Sequence, residues 1–488
     1  MWLSQHALLN VEGFIALGFV ALLFIRGGEV KKSAAGFDAL GLAIATAVIA
    51  LAVSLAFAPI LRAPFLYDDY THITDATHFK WLSVAQQFEP VTGRGLFFRP
   101  IGFFLYWLNY LWAGANPVLW HASSIALHAI CSCLVFALCR ELGVSRAASL
   151  VGALLFALTG LAAETVGWID ARFDLMTTAL VLASLLCIGR NWLISGVALG
   201  AAGMLCKESG FCLPFLIAAL ALFRNSQERR RIWRAAAWTS LVASILFAYR
   251  WWALHGIGGY DAHFHLLHTL NALLLRQWAI LFFPFNWSAP SSPTLRVAVV
   301  AIPFILAAVA WMARAPRRFL AGCTIFIIAA GLPVQHLLLL STSLGGSREL
   351  YLGSVGWALL WAVLLESMAW RPRVIFASLL ACLLLAIGAC MLEHNLRVWR
   401  DTAEVVRSVC ASFGKTAADI PGNIVVHGLP ASRMGTVFLN NGFPQCVDMN
   451  AGVPAWRIQV SDQGAAPSDA HEFVWNDATG RIEAVRQR

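Results

Sequence analysis

The apolar run ALGLAIATAVIALAVSLAFAPIL at residues 39–61 is followed closely by FLYDDY at residues 65–70. A helix needs about 20 apolar residues to cross the hydrocarbon core of a bilayer, and this run is long enough. Asp68 and Asp69 are therefore predicted to lie at a membrane surface, with Tyr67 and Tyr70 at headgroup depth. A carboxylate there can act as a general base beside a lipid-borne substrate, although a solvated loop with interfacial tyrosines also fits this stretch.

The composition of the whole chain is typical of a membrane protein. Of the 488 residues, 59% are hydrophobic and 12% are charged, whereas a soluble protein has about 25% charged residues. No stretch interleaves basic and aromatic residues as a nucleic-acid groove does, so no nucleic-acid partner is predicted. Most of the eleven cysteines lie in or beside apolar runs and show no zinc spacing. No metal site or cofactor is therefore predicted, and dependence on a divalent metal is left open.

Basic loops between the apolar runs set the orientation, because Lys and Arg favour the cytoplasmic side. The first run, Leu8 to Ile25, is followed by Lys31 and Lys32, so segment 1–37 is predicted to be an extra span with a cytoplasmic loop. The loop with five arginines between residues 224 and 234 is the strongest cytoplasmic marker. About twelve spans result. Leu266–Phe283 is interpreted as interfacial or re-entrant, because a span there would place the basic loop at 314–318 outside.

The predicted fold is an all-α polytopic membrane protein with a small C-terminal α/β or β-rich domain. The transmembrane domain covers residues 38–392, and its first outer loop covers residues 62–117. From residue 393 to residue 488 the composition becomes that of a globular domain, with short strand patterns at 423–427, 436–439 and 456–460 and a hairpin pattern at 473–483. The alternation of spans places this domain outside the cytoplasm.

Charged residues collect near the outer ends of the predicted spans. They are Asp68, Asp69, Arg99, Glu164, Asp170, Arg172, Asp174, Lys207, Glu208, Arg348 and Glu349. Guanidinium and ammonium groups bind phosphate, and a carboxylate can deprotonate an acceptor, so the set suits a phosphorylated substrate. Any one of these residues can equally be an ordinary loop charge, and Arg172 between two aspartates can be a structural ion pair.

Five blocks in this order resemble motifs of the GT-C polytopic glycosyltransferases. Among them, the transmembrane O-mannosyltransferases that carry tetratricopeptide repeats, and their bacterial relatives, are the most similar. The blocks are FLYDDY at 65–70, FRPI at 98–101, ARFDL at 171–175, LCKESG at 205–210 and SRELY at 347–351. The resemblance covers roughly residues 38–400. Ser347 departs from the glutamate usual in that family, and no repeat array is found, so the animal protein substrates are not carried over.

The resemblance implies an inverting glycosyltransferase that uses a polyprenyl-phosphate-linked sugar and an acceptor hydroxyl on the extracytoplasmic face. It implies Asp68 as the general base and Asp69 as the residue that orients the acceptor. The implied substrate and phosphate site comprises Arg99, Arg172, Asp174, Lys207, Glu208 and Arg348.

The expected location is the bacterial inner membrane, with the C-terminal domain extracytoplasmic. The glycan or protein acceptor stays undefined. One alternative is a transporter or lipid flippase of the cell envelope, and another is a binding or assembly subunit of an envelope complex with the C-terminal domain as its docking module. Loss of sugar transfer on replacing Asp68 would favour the enzyme over both.

Overall fold

The computed structural model describes residues 2–26, 39–91, 96–259, 266–333, 341–368, 374–461 and 470–485. Lys31 and Lys32, which helped to orient the first predicted span, lie outside these ranges. The described residues form long apolar helices and a small mixed sheet near the C-terminus.

The first ten helices in chain order are α1 (Trp2–Arg26), α2 (Ala39–Phe57), α3 (Asp68–His78), α4 (Trp81–Gln86), α5 (Pro100–Ala113), α6 (Pro117–Glu141), α7 (Arg146–Ala157), α8 (Ala162–Gly167), α9 (Arg172–Gly189) and α10 (Leu193–Cys206). The next ten are α11 (Leu213–Leu220), α12 (Ser226–Leu254), α13 (Leu266–Asn271), α14 (Gln277–Phe282), α15 (Pro293–Val300), α16 (Ile302–Met312), α17 (Arg317–Gly331), α18 (Tyr351–Met368), α19 (Val374–Ala418) and α20 (Phe443–Ala451). Short 3₁₀ turns at Ile169–Ala171 and Ser347–Leu350 precede α9 and α18.

Eight helical segments within the described ranges are long and apolar enough to cross a membrane. They are Ala7–Arg26, Leu40–Ile60, Pro117–Glu141, Ile169–Gly189, Ser226–Leu254, Pro293–Met312, Ser347–Met368 and Val374–Ala418. Four shorter apolar helical segments accompany them, at Arg146–Ala157, Leu193–Cys206, Glu208–Phe223 and Thr269–Phe282. The predicted class, a helical multi-pass membrane protein, is confirmed. The count of about twelve spans stays a prediction.

One end of the bundle, which we call the basic end, gathers the arginine-bearing ends of several helices. Four contacts join them: Arg224 Nη2 to Glu141 Oε1 at 2.7 Å, Ser145 N to Glu366 Oε2 at 3.2 Å, Arg314 N to Ser367 Oγ at 3.3 Å and Arg317 Nε to Phe24 O at 2.9 Å. Helix α9 also ends here, because the carbonyl of Gly189 accepts a hydrogen bond from Arg231 at 2.7 Å. The start of α9 therefore lies roughly 27 Å away, at the opposite end, given the rise of an α-helix.

The segment from α13 to α14 runs alongside α1 and then turns back. Four contacts with α1 trace its course: Asn271 with Asn10, Leu275 with Gly13, Phe282 with Phe19, and Trp287 with Glu12. The path advances along α1 as far as Phe19 and returns by residue 287 to the level of Glu12. This course favours the re-entrant interpretation of Leu266–Phe283 over a full crossing.

The C-terminal domain is a small α/β unit. Its strands are β1 (Ile424–His427), β2 (Ser432–Arg433), β3 (Thr436–Val437), β4 (Ile458–Ser461), β5 (His471–Asn476) and β6 (Arg481–Ala484). The main sheet has the order β4-β1-β5-β6, with β1 parallel to both neighbours and β5 antiparallel to β6, while β2 and β3 pair separately. The predicted strands and hairpin are confirmed.

Helix α19 links this domain to the membrane bundle without a break. It is 45 residues long and passes through the predicted boundary at 392/393, so its second half belongs to the core of the polar domain. Phe413 on α19 packs against Phe443 of α20 and Phe473 of β5, with ring centroids 5.5 and 5.2 Å apart. A disulfide between Cys410 and Cys446 joins α19 to α20.

Candidate active site

A cavity of about 410 Å³ lies where α3, the start of α9 and the turn before α18 meet. Charged and aromatic side chains line it, together with two residues of the C-terminal domain. They are Tyr67, Asp68, His72, Phe97, Arg99, Phe103, Trp168, Asp170, Phe173, Asp174, Lys207, Arg348, Glu349, Val437 and Asn441. The cavity brings together five of the residues predicted from the sequence, namely Asp68, Arg99, Asp174, Lys207 and Arg348.

The turn that presents Asp68 has an unusual backbone. Tyr67 precedes α3 with φ 57° and ψ −120°, a conformation that costs a residue other than glycine on the order of 1–3 kcal/mol. Asp69 compensates, because its Oδ2 accepts the N–H of Leu66 at 2.9 Å and its Oδ1 accepts the N–H of Asp170 at 2.9 Å. Asp69 is only 1% exposed. It therefore holds the turn against the start of α9 and does not line the cavity.

Asp68 faces the cavity, and its Oδ1 accepts a hydrogen bond from the Asn441 amide. Burial raises the pKa of Asp68 to about 7, and the nearby Asp170 carboxylate acts in the same direction. His72, Arg348 and Asn441 oppose that shift because each favours the ionised form. A carboxyl group with this pKa is suited to act as a general base near neutral pH.

His72 lies one helical turn after Asp68 and pairs with Asp170. Its Nδ1–H donates to Asp170 Oδ1 at 2.5 Å. Burial lowers the pKa of His72, but the Asp170 carboxylate outweighs this effect and raises it to about 9. The imidazolium therefore supplies a positive charge beside Asp68 at neutral pH. The signal for His72 in the sequence is its helical spacing from Asp68, which the prediction did not use.

Each cation at the cavity already has a carboxylate partner. The Nζ of Lys207 lies 2.7 Å from both carboxylate oxygens of Asp174, and 3.0 and 3.1 Å from those of Glu349. Arg99 forms a forked pair with Glu208, in which Nε donates at 3.0 Å. Buried charges need such partners, because an isolated ion would lose its hydration without compensation.

These cations differ in how open they are to a ligand. The side chain of Arg348 is 26% exposed, that of Arg99 is 13% exposed, and that of Lys207 is 2% exposed. Lys207 has three N–H donors and two carboxylates already around it. Of these three cations, Arg348 is the most accessible to a phosphate and Arg99 is the next. Lys207 contributes indirectly, because it neutralises the carboxylates of Asp174 and Glu349.

Glu164 fixes the position of Arg348. Its Oε1 accepts from Arg348 Nη1 at 2.6 Å, and its Oε2 accepts the backbone N–H of the same residue at 3.0 Å. The Ser347 hydroxyl also donates to Oε2, at 3.0 Å. The Arg348 guanidinium then lies 4.9 Å from the centre of the Trp168 ring. Glu164 is buried, so this carboxylate acts as an anchor for the loop rather than as a cavity group.

Three predicted site residues lie outside the cavity lining: Asp69, Arg172 and Glu208. Arg172 is 1% exposed and its Nη2 donates to α6, at Trp120 O (3.0 Å), Ser123 Oγ (2.8 Å) and Ser124 Oγ (2.9 Å). This placement makes Arg172 a tie between α9 and α6, and its expected role as a phosphate ligand stays a prediction. Glu208 reaches the cavity only through Arg99, and Asp69 only through Asp170 and the turn at Tyr67.

Asn441 is the cavity residue that sequence reasoning had no means to find. It lies 373 residues from Asp68, in a domain whose pattern predicted only short strands. Within the part of the chain that the structure describes, no group of three or more His, Cys, Asp or Glu is arranged to hold a metal ion. The lack of a cofactor remains a prediction.

No family model matches the chain. The chain is similar to protein O-mannosyl-transferases. It is 27% identical to TMTC1 of Mus musculus over 237 residues, which are 42% of this chain and 25% of the relative. It is 25% identical to TMTC4 of Homo sapiens over 423 residues, which are 68% of this chain and 56% of the relative.

The resemblance to transmembrane O-mannosyltransferases is thus confirmed, and the chain spans between a quarter and just over half of these two relatives. Among solved structures it is similar to ArnT from Cupriavidus metallidurans bound to undecaprenyl phosphate. The TM-score is 0.43 at 12% identity, over 90% of this chain and 94% of ArnT.

The turn held by Asp69 gives a test of the site's architecture. We predict that Asp69→Asn lowers stability by about 1–3 kcal/mol, because the new amide NH₂ cannot accept one of the two backbone N–H groups. Asp68→Asn should leave stability nearly unchanged, since Asp68 is half-buried and accepts from a side-chain amide. Thermal unfolding in detergent, followed by tryptophan fluorescence, measures both. Equal melting temperatures for the two variants would contradict the structural role of Asp69.

Proposed function

We propose that the protein is a membrane glycosyltransferase that moves a sugar from a polyprenyl-phosphate-linked donor to an acceptor hydroxyl outside the cytoplasm. The observation that carries this proposal is that Asp68 shares one cavity with Arg348 and Arg99. A base for the acceptor and cations for a leaving phosphate are then within one site. Similarity to protein O-mannosyl-transferases makes mannose the first sugar to test.

Asp68 would activate the acceptor. Its carboxylate takes the proton of the acceptor O–H while the oxygen attacks the anomeric carbon of the donor. One bond forms between that carbon and the acceptor oxygen as the bond to the lipid phosphate breaks. A single displacement of this kind inverts the configuration at the anomeric carbon. Because Asn441 donates to Oδ1 of Asp68, the second oxygen, Oδ2, is the one that would accept the proton.

The lipid phosphate would leave with the electron pair of the broken bond, and its added negative charge needs fixed partners. Arg348 is more exposed than Arg99 and Lys207, and Glu164 and the Trp168 ring hold its guanidinium in place. Preorganised charge of this kind stabilises a transition state more than mobile water does. Arg99 is placed to assist, while Lys207 keeps Asp174 and Glu349 from repelling the phosphate.

Two features support an extracytoplasmic cavity. The basic end lies at the opposite end of α9, and positive residues favour the cytoplasm. Disulfides such as Cys410–Cys446 persist mainly in oxidising compartments, which include the bacterial periplasm. Labelling of intact cells with an impermeant maleimide after mild reduction tests this orientation. Labelling of Cys410 and Cys446 only after permeabilisation would contradict it.

The base assignment is tested with Asp68→Asn. We expect the rate of mannose transfer from synthetic polyprenyl-phosphate-mannose to fall by about 10²–10⁴-fold, the scale of a lost general base. In the unmodified protein the rate should rise with pH through about 7 and then level, because only ionised Asp68 accepts a proton. Release of polyprenyl phosphate by protein in lipid nanodiscs measures both.

Asp75→Asn is the matched control, since Asp75 is exposed on the same helix and does not line the cavity. Near-normal transfer by Asp68→Asn would refute the base assignment. If the unmodified protein moves the lipid across the membrane but transfers no sugar, the transporter alternative is favoured.

Variants of Arg348 and Lys207 should separate effects on donor binding from effects on stability. Arg348→Lys keeps the charge but loses the planar fork, so we expect a raised KM for the donor and a lower kcat with little change in stability. Lys207→Met removes the ion-pair partner of buried Asp174 and leaves Glu349 with Arg348 alone, so we expect about 3–5 kcal/mol lower stability. Donor kinetics and thermal unfolding distinguish them, with Arg407→Gln, at an exposed arginine of α19 outside the cavity lining, as the control. Normal donor kinetics in Arg348→Lys would remove Arg348 from the phosphate site.

A further inference from the structure

The stretch from Met434 to Gly442 of the C-terminal domain, which we call the bridging segment, contributes Val437 and Asn441 to the lining of the cavity. At its first end, the carbonyl of Met434 accepts a hydrogen bond from Asn286 Nδ2 at 2.8 Å. Gly435, with φ 87°, packs so closely that a Cβ there would lie 2.2 Å from the Ser343 carbonyl oxygen. The bridging segment is therefore fixed against the loop that leads into Arg348.

The other end of the bridging segment meets the turn that carries Asp68. Gly442 has φ 69°, and a Cβ on it would lie 2.1 Å from the Tyr67 carbonyl oxygen. This close approach requires glycine, because the space that a side chain would fill is taken by backbone. The amide of Asn441 then donates to Asp68 Oδ1. Val437 and Asn441 thus form part of the wall of the cavity that Asp68 and Arg348 also line.

The orientation of the Asn441 amide follows from its second hydrogen bond. Its own Oδ1 accepts the backbone N–H of Gly442 at 3.0 Å. A backbone N–H can only donate, so the oxygen of the amide must face Gly442 and the NH₂ must face Asp68. The amide is consequently a donor to the carboxylate and cannot exchange its two ends without losing both contacts.

We propose that Asn441 is a positioning residue for the reaction, which directs the carboxylate of Asp68 and favours its ionised form. The proposal rests on the proposed function, in which Asp68 is the base. Donation to Oδ1 fixes the plane of the carboxylate and leaves Oδ2 for the acceptor proton. The C-terminal domain then contributes a residue to the reaction site.

The protonation of Asp68 depends on groups from four elements packed around it. Asp170 from the turn before α9 disfavours the ionised form, whereas His72 on α3, Arg348 from the turn before α18 and Asn441 favour it. Asn441 is the uncharged member of this set. Removing its amide should therefore shift the ionisation of Asp68 while leaving the net charge of the cavity unchanged.

The test uses the full chain with Asn441→Ala and the nearly isosteric Asn441→Asp. We expect kcat for mannose transfer to fall by about 10–100-fold in Asn441→Ala, on the scale of a hydrogen bond to a charged group, with the donor KM unchanged. The acid limb of the pH–rate profile should move to higher pH in Asn441→Ala, because Asp68 loses a donor that favours its ionised form. The shift should be larger in Asn441→Asp, because the new carboxylate then faces that of Asp68. Asn423→Ala, at an exposed asparagine of the same domain outside the cavity lining, is the control.

A second readout needs no substrate. Carbodiimide reacts with protonated carboxyl groups, so labelling of Asp68 across a pH series, located by peptide mass spectrometry, reports its ionisation directly. We expect the labelling midpoint to rise in both Asn441 variants and to stay unchanged in Asn423→Ala. An unchanged midpoint in both Asn441 variants would overturn the positioning role even if activity fell, because the loss would then be general.

The two proposals fail in different ways. If the unmodified protein transfers sugar and loses transfer in Asp68→Asn, but the Asn441 variants keep the normal pH–rate profile, the positioning role is wrong and the proposed function stands. If the unmodified protein transfers no sugar from polyprenyl-phosphate-mannose or from the corresponding glucose and galactose donors, the proposed function fails and takes the positioning role with it.

Discussion

The Asp69 carboxylate accepts one N–H from Leu66 and one from Asp170, and so ties the turn at Tyr67 to the start of α9. The position of Asp68 depends on this contact, because Tyr67 holds a backbone conformation that an unrestrained turn would leave. With the turn in place, His72 meets Asp170 and Asp68 opens to the cavity. One buried carboxylate thus organises a second, reactive one beside it.

The arginines and the lysine of the cavity are also each paired with a buried carboxylate. Arg99 pairs with Glu208, Lys207 with two carboxylates, and Arg348 with Glu164. Such pairing compensates charges that would otherwise be costly to bury. What distinguishes the cations is their residual exposure, which points to Arg348 and Arg99 as the groups that a lipid phosphate would meet. A site built from paired ions is ready for its ligand without reorganisation.

The sequence predicted the features that are local. Apolar runs identified the helices, arginine-rich loops identified the basic end, and a Gly480-centred hairpin identified β5 and β6. It could not predict pairings over long separations, such as Arg99 with Glu208 across 109 residues, because hydropathy and spacing carry no information about partners. For the same reason Arg172 was placed among the phosphate ligands, whereas the structure turns it towards α6. Two adjacent aspartates also look alike in sequence, and only burial separates the anchor from the candidate base.

The central claim is a single displacement in which Asp68 deprotonates the acceptor on one side while cations receive the phosphate on the other. The most direct measurement is the anomeric configuration of the transferred sugar. Purified protein in lipid nanodiscs would be given a polyprenyl-phosphate-mannose of known configuration and a panel of glycan and peptide acceptors that carry hydroxyl groups, and any glycosylated product would be examined by NMR. The account predicts a glycosidic bond of the configuration opposite to that of the donor. Retention of the donor configuration would contradict it, because a single displacement cannot retain the configuration.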